Sequence, residues 1–335
     1  MIKRIKLALR LAGLGMIFTN ITHASDSEDA QAFKFNFTTD KPLVYAVKIV
    51  TRQMNDSTIG TRNSLTRNSV ETRYKFRLIR TAGAKTNGTM SVYFHPFDYE
   101  QDIDNVSQQG HGTVAIRGLN ILAKQDGIVV VDTENAIGFT QARTMKQIAY
   151  PSMLSGYMHF DATGRIKTLG GDPPFIDTWT ENLKNIVGFF YIVFPTNALA
   201  VRDTWTNILT LKSVSGTVFN GDGMSRPFVF DRELDSPPTG GVNTAPAPCF
   251  KCYEVLNLTD YGGYFEQNGQ RTSIAIPEST ENSEATFHFD PQLGCVTDVK
   301  MTGKTQSTTK AVVQNSSNVV HVNVESDITI KLLPP

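Results

Sequence analysis

The sequence predicts a mainly β (α+β) protein built from two antiparallel curved-sheet modules and a central apolar helix. Apolar and polar residues alternate in short segments such as 320–324 and 328–332, which is typical of strands with one buried face. Asp-Gly at 126–127 and Asn-Gly at 268–269 favour tight antiparallel hairpins, because both positions tolerate positive φ. No strand–helix alternation is present, which argues against a parallel α/β fold. Further strand candidates are residues 33–37, 43–52, 74–80, 91–95, 128–132 and 252–258.

Residues 1–24 predict a cleavable secretory signal. Basic residues precede an apolar run at 11–18, and Thr22 and Ala24 place small residues at the two positions that a signal peptidase reads. The apolar run is shorter than the roughly 20 residues that cross a bilayer. We therefore expect an exported protein, periplasmic or extracellular, without a transmembrane segment after signal removal. An uncleaved anchor or an ordinary amphipathic helix is the alternative.

The charge balance excludes two classes of partner. Removal of the signal leaves 311 residues with 28 basic and 32 acidic side chains, a net charge of about −4. Since Lys and Arg form no cluster, we expect no binding to nucleic acid or to an anionic membrane surface. The apolar fraction of 40% is sufficient for a hydrophobic core. No nucleotide-binding motif is present, and we expect no cofactor.

The longest apolar segment divides the remaining chain. Residues 172–194 begin after a Gly-Gly pair, contain Pro-Pro near their start and end before Pro195, as helix boundaries predict. We predict a first β-module at 30–171, a connecting helix at 172–194 and a second β-module at 196–335. A Pro- and Gly-rich stretch at 235–248 predicts an exposed loop within the second module.

A weak internal repeat connects the two modules. Residues 158–166 and 287–296 both read apolar-His-Phe-Asp, then a turn that ends in Gly, then a second strand. Two related modules would produce this pattern, and so would two unrelated hairpins that share turn preferences. His159 and His288 occupy matching places, and they would converge only if the modules face each other.

Three short motifs resemble a widespread family of uncharacterised exported bacterial β-proteins. They are Phe-Pro at 194–195, Asp-Thr-Trp at 203–205 and the Phe-x-Phe-Asp hairpin that begins at 287. The family usually has Gly where this chain has Arg202. The motifs are structural and not catalytic. Some members resemble the curved, helix-lined half-barrels of periplasmic lipoprotein carriers, so the resemblance implies such a fold and no particular ligand.

The three cysteines predict one structural disulfide. In an oxidising compartment, Cys249, Cys252 and Cys295 offer one pair, and Cys252 with Cys295 is favoured because each opens a predicted strand. Cys249 with Cys252 would require a turn, since extended residues three apart are separated by about 10 Å and a disulfide spans less than about 7 Å. A redox-active pair or a zinc site is less favoured, because a thioredoxin-like context and further ligands are lacking.

No residue is predicted to be catalytic or to bind a metal. The histidines form no HExxH motif or i, i+4 pair, and no GxSxG motif is present. Asp98, Glu100, Asp102 and Asp104 alternate and offer oxygen ligands for a hard cation such as calcium, but their spacing lacks the features of an EF-hand loop. We interpret them as a solvated acidic loop.

The apolar end of the predicted helix is the candidate ligand site. A helix that is apolar on all sides must be buried or meet lipid, and inside a curved sheet Phe189, Phe190, Ile192 and Val193 would line a cavity. Core filling is the alternative for these residues. The sequence thus predicts an exported, non-enzymatic binding protein for an apolar molecule such as a lipid, or for a partner such as another envelope protein. A scaffold protein without a ligand pocket and an unrecognised hydrolase are the alternatives.

Overall fold

The computed structural model contains sixteen strands among the residues that it describes. The described residues are 20–23, 30–36, 42–59, 65–86, 89–118, 120–138, 140–141, 156–171, 192–209, 217–218, 224–233, 247–267, 270–313 and 316–334. The strands are β1 (Asn20–His23), β2 (Leu43–Ile59), β3 (Leu65–Thr86), β4 (Thr89–Asn105), β5 (Gly110–Arg117), β6 (Asn120–Gln125), β7 (Ile128–Asp132), β8 (Gly156–Phe160), β9 (Ile166–Gly171), β10 (Thr204–Leu209), β11 (Thr217–Val218), β12 (Met224–Glu233), β13 (Ala247–Gln267), β14 (Gln270–Asp290), β15 (Cys295–Val313) and β16 (Ser316–Leu332).

All these strands belong to one sheet, and every pairing between them is antiparallel. The main order is β1-β10-β12-β13-β14-β15-β16-β2-β3-β4-β5-β6-β7, while the β8–β9 hairpin pairs with β4 and β11 pairs with β13. The prediction of an antiparallel β protein is therefore confirmed. Pairing of β16 with β2 joins strands from both halves of the chain, and the division into two modules stays a prediction.

Strands β2–β4 and β13–β16 are each 17 to 22 residues long. The strand predicted at 43–52 is only the first part of β2, which continues to Ile59. The strand predicted at 252–258 likewise lies inside β13. In β2 the sequence pattern stops early because alternation of apolar and polar residues is the strand signal, and residues 55–58 are polar on both faces.

The hydrophobic core covers one side of the sheet, which we call the inner face, and the opposite side is the outer face. Along β2, Tyr45 and Val47 are buried on the inner face, while Lys48 is exposed on the outer face. Residues that lie directly opposite each other in antiparallel strands point to the same side. The two faces can therefore be followed from strand to strand through the register.

An irregular segment at residues 30–36 enters the core instead of joining the strands. Gln31 and Leu199 exchange two backbone hydrogen bonds of 2.8 Å. Phe33 and Phe35 are buried, but neither lies in a strand. The strand predicted at 33–37 is thus wrong for its described residues, because alternating phenylalanines fill the core here without a strand partner.

Both turns of the weak repeat meet this segment. The Phe35 N–H donates to the carbonyl of Ala162 at 3.0 Å, and the Asn36 N–H donates to the carbonyl of Gly294 at 2.8 Å. Gly294 has a φ of +58°. The two matching hairpin turns therefore bind consecutive residues of one segment.

Phe194 lies within a cluster of aromatic rings in the core. Its ring centroid is 5.1 Å from those of Phe250 and Phe289, 5.3 Å from that of Phe35 and 6.4 Å from that of Trp205. Edge-to-face and offset pairs at these distances stabilise a fold by about 0.5–1.5 kcal/mol beyond their burial. The Phe-Pro and Asp-Thr-Trp motifs of the sequence thus contribute to the core.

The predicted central helix is not seen in the described part of the chain. Residues 172–191 lie outside that part, and residues 192–194 have no helical structure. The backbone carbonyl of Val193 accepts a 3.0 Å hydrogen bond from Trp205 Nε1. These last residues of the predicted helix are therefore a buried irregular segment, because their carbonyl groups find partners elsewhere in the core.

Two further boundaries can be compared with the sequence. Residues 235–246 of the predicted loop at 235–248 lie outside the described residues, and β13 already begins at Ala247. Pro248 is tolerated there because proline is compatible with the first residues of a strand.

Among the described residues, no helix has the length and hydropathy needed to cross a membrane.

Candidate functional site

The structure describes two of the four predicted ligand-binding residues. Ile192 and Val193 are buried in the core, and Phe189 and Phe190 lie outside the described residues. A Cβ placed on Gly164 would lie 2.5 Å from the carbonyl oxygen of Ile192, so the chain is closely packed at this point. A cavity lined by the four residues stays a prediction.

No disulfide joins the three cysteines. Cys249 and Cys252 lie in one continuous strand, so their side chains point to opposite faces of the sheet. Cys295 lies on β15, and β14 separates it from both. The predicted disulfide is therefore wrong, because strands two apart in a sheet are separated by about 9.6 Å, which a disulfide does not span.

Cys249, His288 and Asp298 form a row across β13, β14 and β15. Each residue lies directly opposite the next, and His288 Nδ1 is 3.7 Å from Asp298 Oδ1. The Asp298 carboxylate and the Cys249 side chain raise the pKa of His288 to about 10, so the imidazole is protonated at neutral pH. Because Cys249 is completely buried, this row does not present an accessible nucleophile for a hydrolase.

The two histidines of the weak repeat have different neighbours. His159 Nδ1 lies 3.0 Å from Ser91 Oγ, across the pairing of β8 with β4. His288 instead lies beside Asp298. The matching sequence positions therefore do not have matching chemistry.

The predicted acidic loop is wrong, because all four of its acids lie in strand β4. Asp98 Oδ2 lies 3.8 Å from Arg77 Nη1, and Glu100 accepts a charge-assisted hydrogen bond from Arg117. Strand β4 continues through this acidic stretch because β3 and β5 supply backbone partners on both sides.

The other two acids belong to an ion-pair cluster with Arg73 and His111. Asp104 Oδ1 lies 2.7 Å from His111 Nδ1, and Arg73 Nη1 lies 2.8 Å from Asp104 Oδ2 and 3.6 Å from Asp102 Oδ1. His111 and Arg73 hold the pKa of Asp104 below its ordinary value, and Asp104 raises the pKa of His111. Asp102, Asp104 and His111 are close enough to hold a cation together, but both carboxylates already lie beside Arg73 and His111.

Beyond the core, the inner face continues as a surface of half-buried side chains. In β2, Val47 and Ile49 are followed on the same face by Thr51 and Gln53. The neighbouring strands also carry half-buried inner-face residues at this level, and on β16 Val322, the next inner-face residue after Val324, is buried again. We call the following residues the inner trough: Gly303, Thr305, Val324, Ser326, Thr51, Gln53, Val70, Thr72, Ile103 and Asn105.

Exposure differs between the two faces on β15, β16 and β2, but not on β3 and β4, where the outer-face residues Glu71 and Asp104 are also half-buried. Every residue of the inner trough is half-buried, whereas outer-face neighbours such as Arg52, Lys304 and Glu325 are exposed. The inner trough therefore lies on the core side of the sheet, directly next to the core.

The inner trough combines apolar and hydrogen-bonding groups. Val70, Ile103 and Val324 supply β-branched apolar side chains, and hydroxyl and amide groups lie between them. At Gly303 the inner face has no side chain, and a Cβ there would lie 2.8 Å from Ser326 Oγ. The surface thus suits a molecule with both apolar and polar parts.

Comparison with known proteins yields only distant likenesses. No protein-family model matches the sequence, and no curated protein does. A solved lipovitellin, described by its lipid–protein interactions, has 12% identity and a TM-score of 0.47 over 89% of this chain and 26% of its own. The monoaromatic hydrocarbon channel CymD has 8% identity and a TM-score of 0.18, with 87% of this chain and 89% of that chain covered. The OccK11 protein of Pseudomonas aeruginosa has 8% identity and a TM-score of 0.19, with 91% and 99% covered.

This chain spans about a quarter of the lipovitellin chain that it matches. All three TM-scores are below 0.5, so these likenesses carry no functional assignment. The site must be interpreted from its own residues.

Proposed function

We propose that this protein is an exported, non-enzymatic binding protein that holds a lipid-like molecule in the inner trough. One observation carries the proposal: within the same strands, the inner face passes from a closed core to a half-buried surface. The apolar part of the ligand would lie against Met301, Ile328 and Ile49 at the edge of the core. Its polar end would meet the hydroxyl and amide groups of Thr51 and Gln53.

The energetics favour an amphipathic ligand over a purely polar one. Covering the half-buried side chains of Val70, Ile103 and Val324 with hydrocarbon would stabilise the complex by about 25 cal/mol per Å² of apolar area removed from water. The neighbouring hydroxyl groups would lose hydration, and a polar head group would replace the lost hydrogen bonds. A ligand with both parts therefore satisfies the whole surface.

A fluorescence titration with cis-parinaric acid tests this function. Val324→Asp places a carboxylate in the inner trough. We expect the dissociation constant to rise at least tenfold, which is a loss of about 1.4 kcal/mol of binding free energy. Asn323→Asp is the matched control, because the neighbouring residue of β16 points to the outer face. Equal affinity of the two variants, or no binding by the wild-type protein, would refute the proposal, provided that both variants melt as the wild type does.

The proposed export rests on the signal at residues 1–24. Strand β1 lies within this segment and pairs with β10 at the end of the sheet order. Cleavage after Ala24 would remove β1 and leave β10 as an edge strand. N-terminal sequencing of protein isolated from its own host should begin at Ser25, and a mature chain that still begins at Met1 would contradict export by cleavage.

A further inference from the structure

We propose that a second site, on the outer face, binds a neutral oligosaccharide. A groove of about 460 Å³ crosses β13–β16 and reaches β2, and we call it the outer groove. One of its walls is the row Tyr253, Glu284, Thr302 and Asp327, each directly opposite the next in the register. The groove lies on the opposite side of the sheet from the inner trough, and the two share only the strand positions Gly303 and Ser326. The proposal does not depend on the lipid-like ligand proposed above.

The second wall of the outer groove runs parallel to the first, two residues further along each strand. It consists of Asn282, Lys304, Glu325 and Arg52, again directly opposed in the register. The residues between the two rows, including Gly303, point inward, so their backbone forms the floor of the outer groove. The groove therefore follows the direction perpendicular to the strands.

The outer groove carries charges of both signs: Lys304, Glu325 and Arg52 alternate along the second wall, whereas the charged residues of the first wall are both acidic. Lys304 Nζ lies 3.4 Å from Glu325 Oε1, and Arg52 Nη1 lies 3.0 Å from Asp327 Oδ2. Arg52 also donates from Nε to Glu71 at 3.0 Å, which holds its planar guanidinium in a defined orientation. A simple anion or cation would meet charges of its own sign here, and a large net field is absent.

Hydroxyl groups suit a groove that contains both acidic and basic side chains, because each hydroxyl both donates and accepts a hydrogen bond. A neutral polyol can donate to Glu284 and accept from Arg52, Lys304 or Asn282 without a net charge of its own. Tyr253 adds an exposed aromatic ring, 47% accessible, against which the apolar C–H face of a sugar ring can pack. The walls thus provide both kinds of contact that a sugar requires.

The dimensions favour a chain of sugars over a single unit. Five strands spaced by about 4.8 Å give the outer groove a length of about 19 Å. A peptide is a poorer fit, because the backbone groups of the floor already pair within the sheet and offer no strand edge. A neutral oligosaccharide is therefore the occupant that the geometry supports.

Affinity electrophoresis of the full chain in gels that contain soluble xylan, β-glucan, galactomannan or dextran tests the proposal. We expect at least one polysaccharide to retard the wild-type protein, and Tyr253→Ala to weaken the apparent affinity about fivefold to tenfold, in line with the value of an aromatic contact. Tyr93→Ala is the matched control, since Tyr93 is 49% accessible on β4, a strand that the groove does not reach.

Three outcomes would overturn this assignment. They are the absence of retardation in all four gels, an equal effect of both tyrosine substitutions, and retention of affinity by an Asn282→Ala, Glu284→Gln double variant. Both tyrosine variants should melt at the wild-type temperature, because each side chain is half-exposed. Val324→Asp should leave retardation unchanged, which separates this site from the inner trough.

Discussion

The two ends of the long strands are built from the same sheet but differ in their inner side chains. At the core end, Val47, Phe76 and Ile330 are buried, and at the far end Thr51 and Thr72 are half-buried on the same face. Backbone pairing continues without interruption from β15 through β16 and β2 to β3. The difference shows that a core at one end of the strands lets the same sheet extend a half-buried, partly polar surface at the other.

The largest effect should follow from loss of an aromatic ring at the core end. Phe194→Ala removes a completely buried side chain, and we expect the free energy of unfolding to fall by about 3–5 kcal/mol. Thr305→Ala at the far end should change it by less than about 0.5 kcal/mol. Urea denaturation of both variants measures the contrast, and equal losses would show that the two ends contribute alike to stability.

A hairpin turn at the core end should be nearly as sensitive. A Cβ on Gly294 would lie 2.5 Å from the Asn36 backbone nitrogen, and the residue also has positive φ. We expect Gly294→Ala to destabilise the fold by about 2–3 kcal/mol through steric clash and backbone strain. Gly118 has a φ of +57° with open space around it, so Gly118→Ala isolates the strain of about 1 kcal/mol. Thermal unfolding of the two variants should separate them, and identical melting temperatures would disprove the close contact.

The protonation of His288 should make the core end sensitive to pH. Its pKa is raised to about 10 by Asp298 and Cys249, against 6.5 for an ordinary histidine. The folded state therefore holds the proton more tightly than the unfolded state, so this contribution is fully present below pH 6.5 and is lost as the pH rises through about 10. Asp298→Asn should flatten the decline in unfolding free energy between pH 7 and pH 10, and Glu325→Gln should not. A decline of the same slope in all three proteins would argue against this ion pair.

The smallest effect should come from the exposed charges of the far end. Arg52 bridges Glu71 and Asp327, but all three side chains are accessible to solvent. We expect Arg52→Met to lower the denaturation midpoint only slightly, and the difference from the wild type to shrink further in 1 M salt because exposed ion pairs are screened. Chemical denaturation at low and high salt measures this change. A large, salt-independent loss would mean that the outer face contributes to stability as the core does.

Sequence patterns predicted the strands wherever one face is apolar, and they failed where contacts between distant strands decide the structure. The strand at 128–132 was predicted with its observed bounds, because a run of β-branched residues is bounded by turns on both sides. The pairing of Cys249 with His288 was missed, since the register of β13 against β14 is not encoded in the spacing of either residue. The inner trough was missed for a related reason: Thr51 and Gln53 are polar, and polarity alone does not distinguish a half-buried inner face from one that is exposed to solvent.

The sequence by itself determined that this protein is a β protein with antiparallel pairing, because period-two hydrophobicity and tight turns are local properties. Only the tertiary structure decided that β16 pairs with β2, that the cysteines lie too far apart for a disulfide, and that the outer charges form two parallel rows. These features depend on which strands become neighbours and in which register, and that choice is made by the packing of the whole sheet.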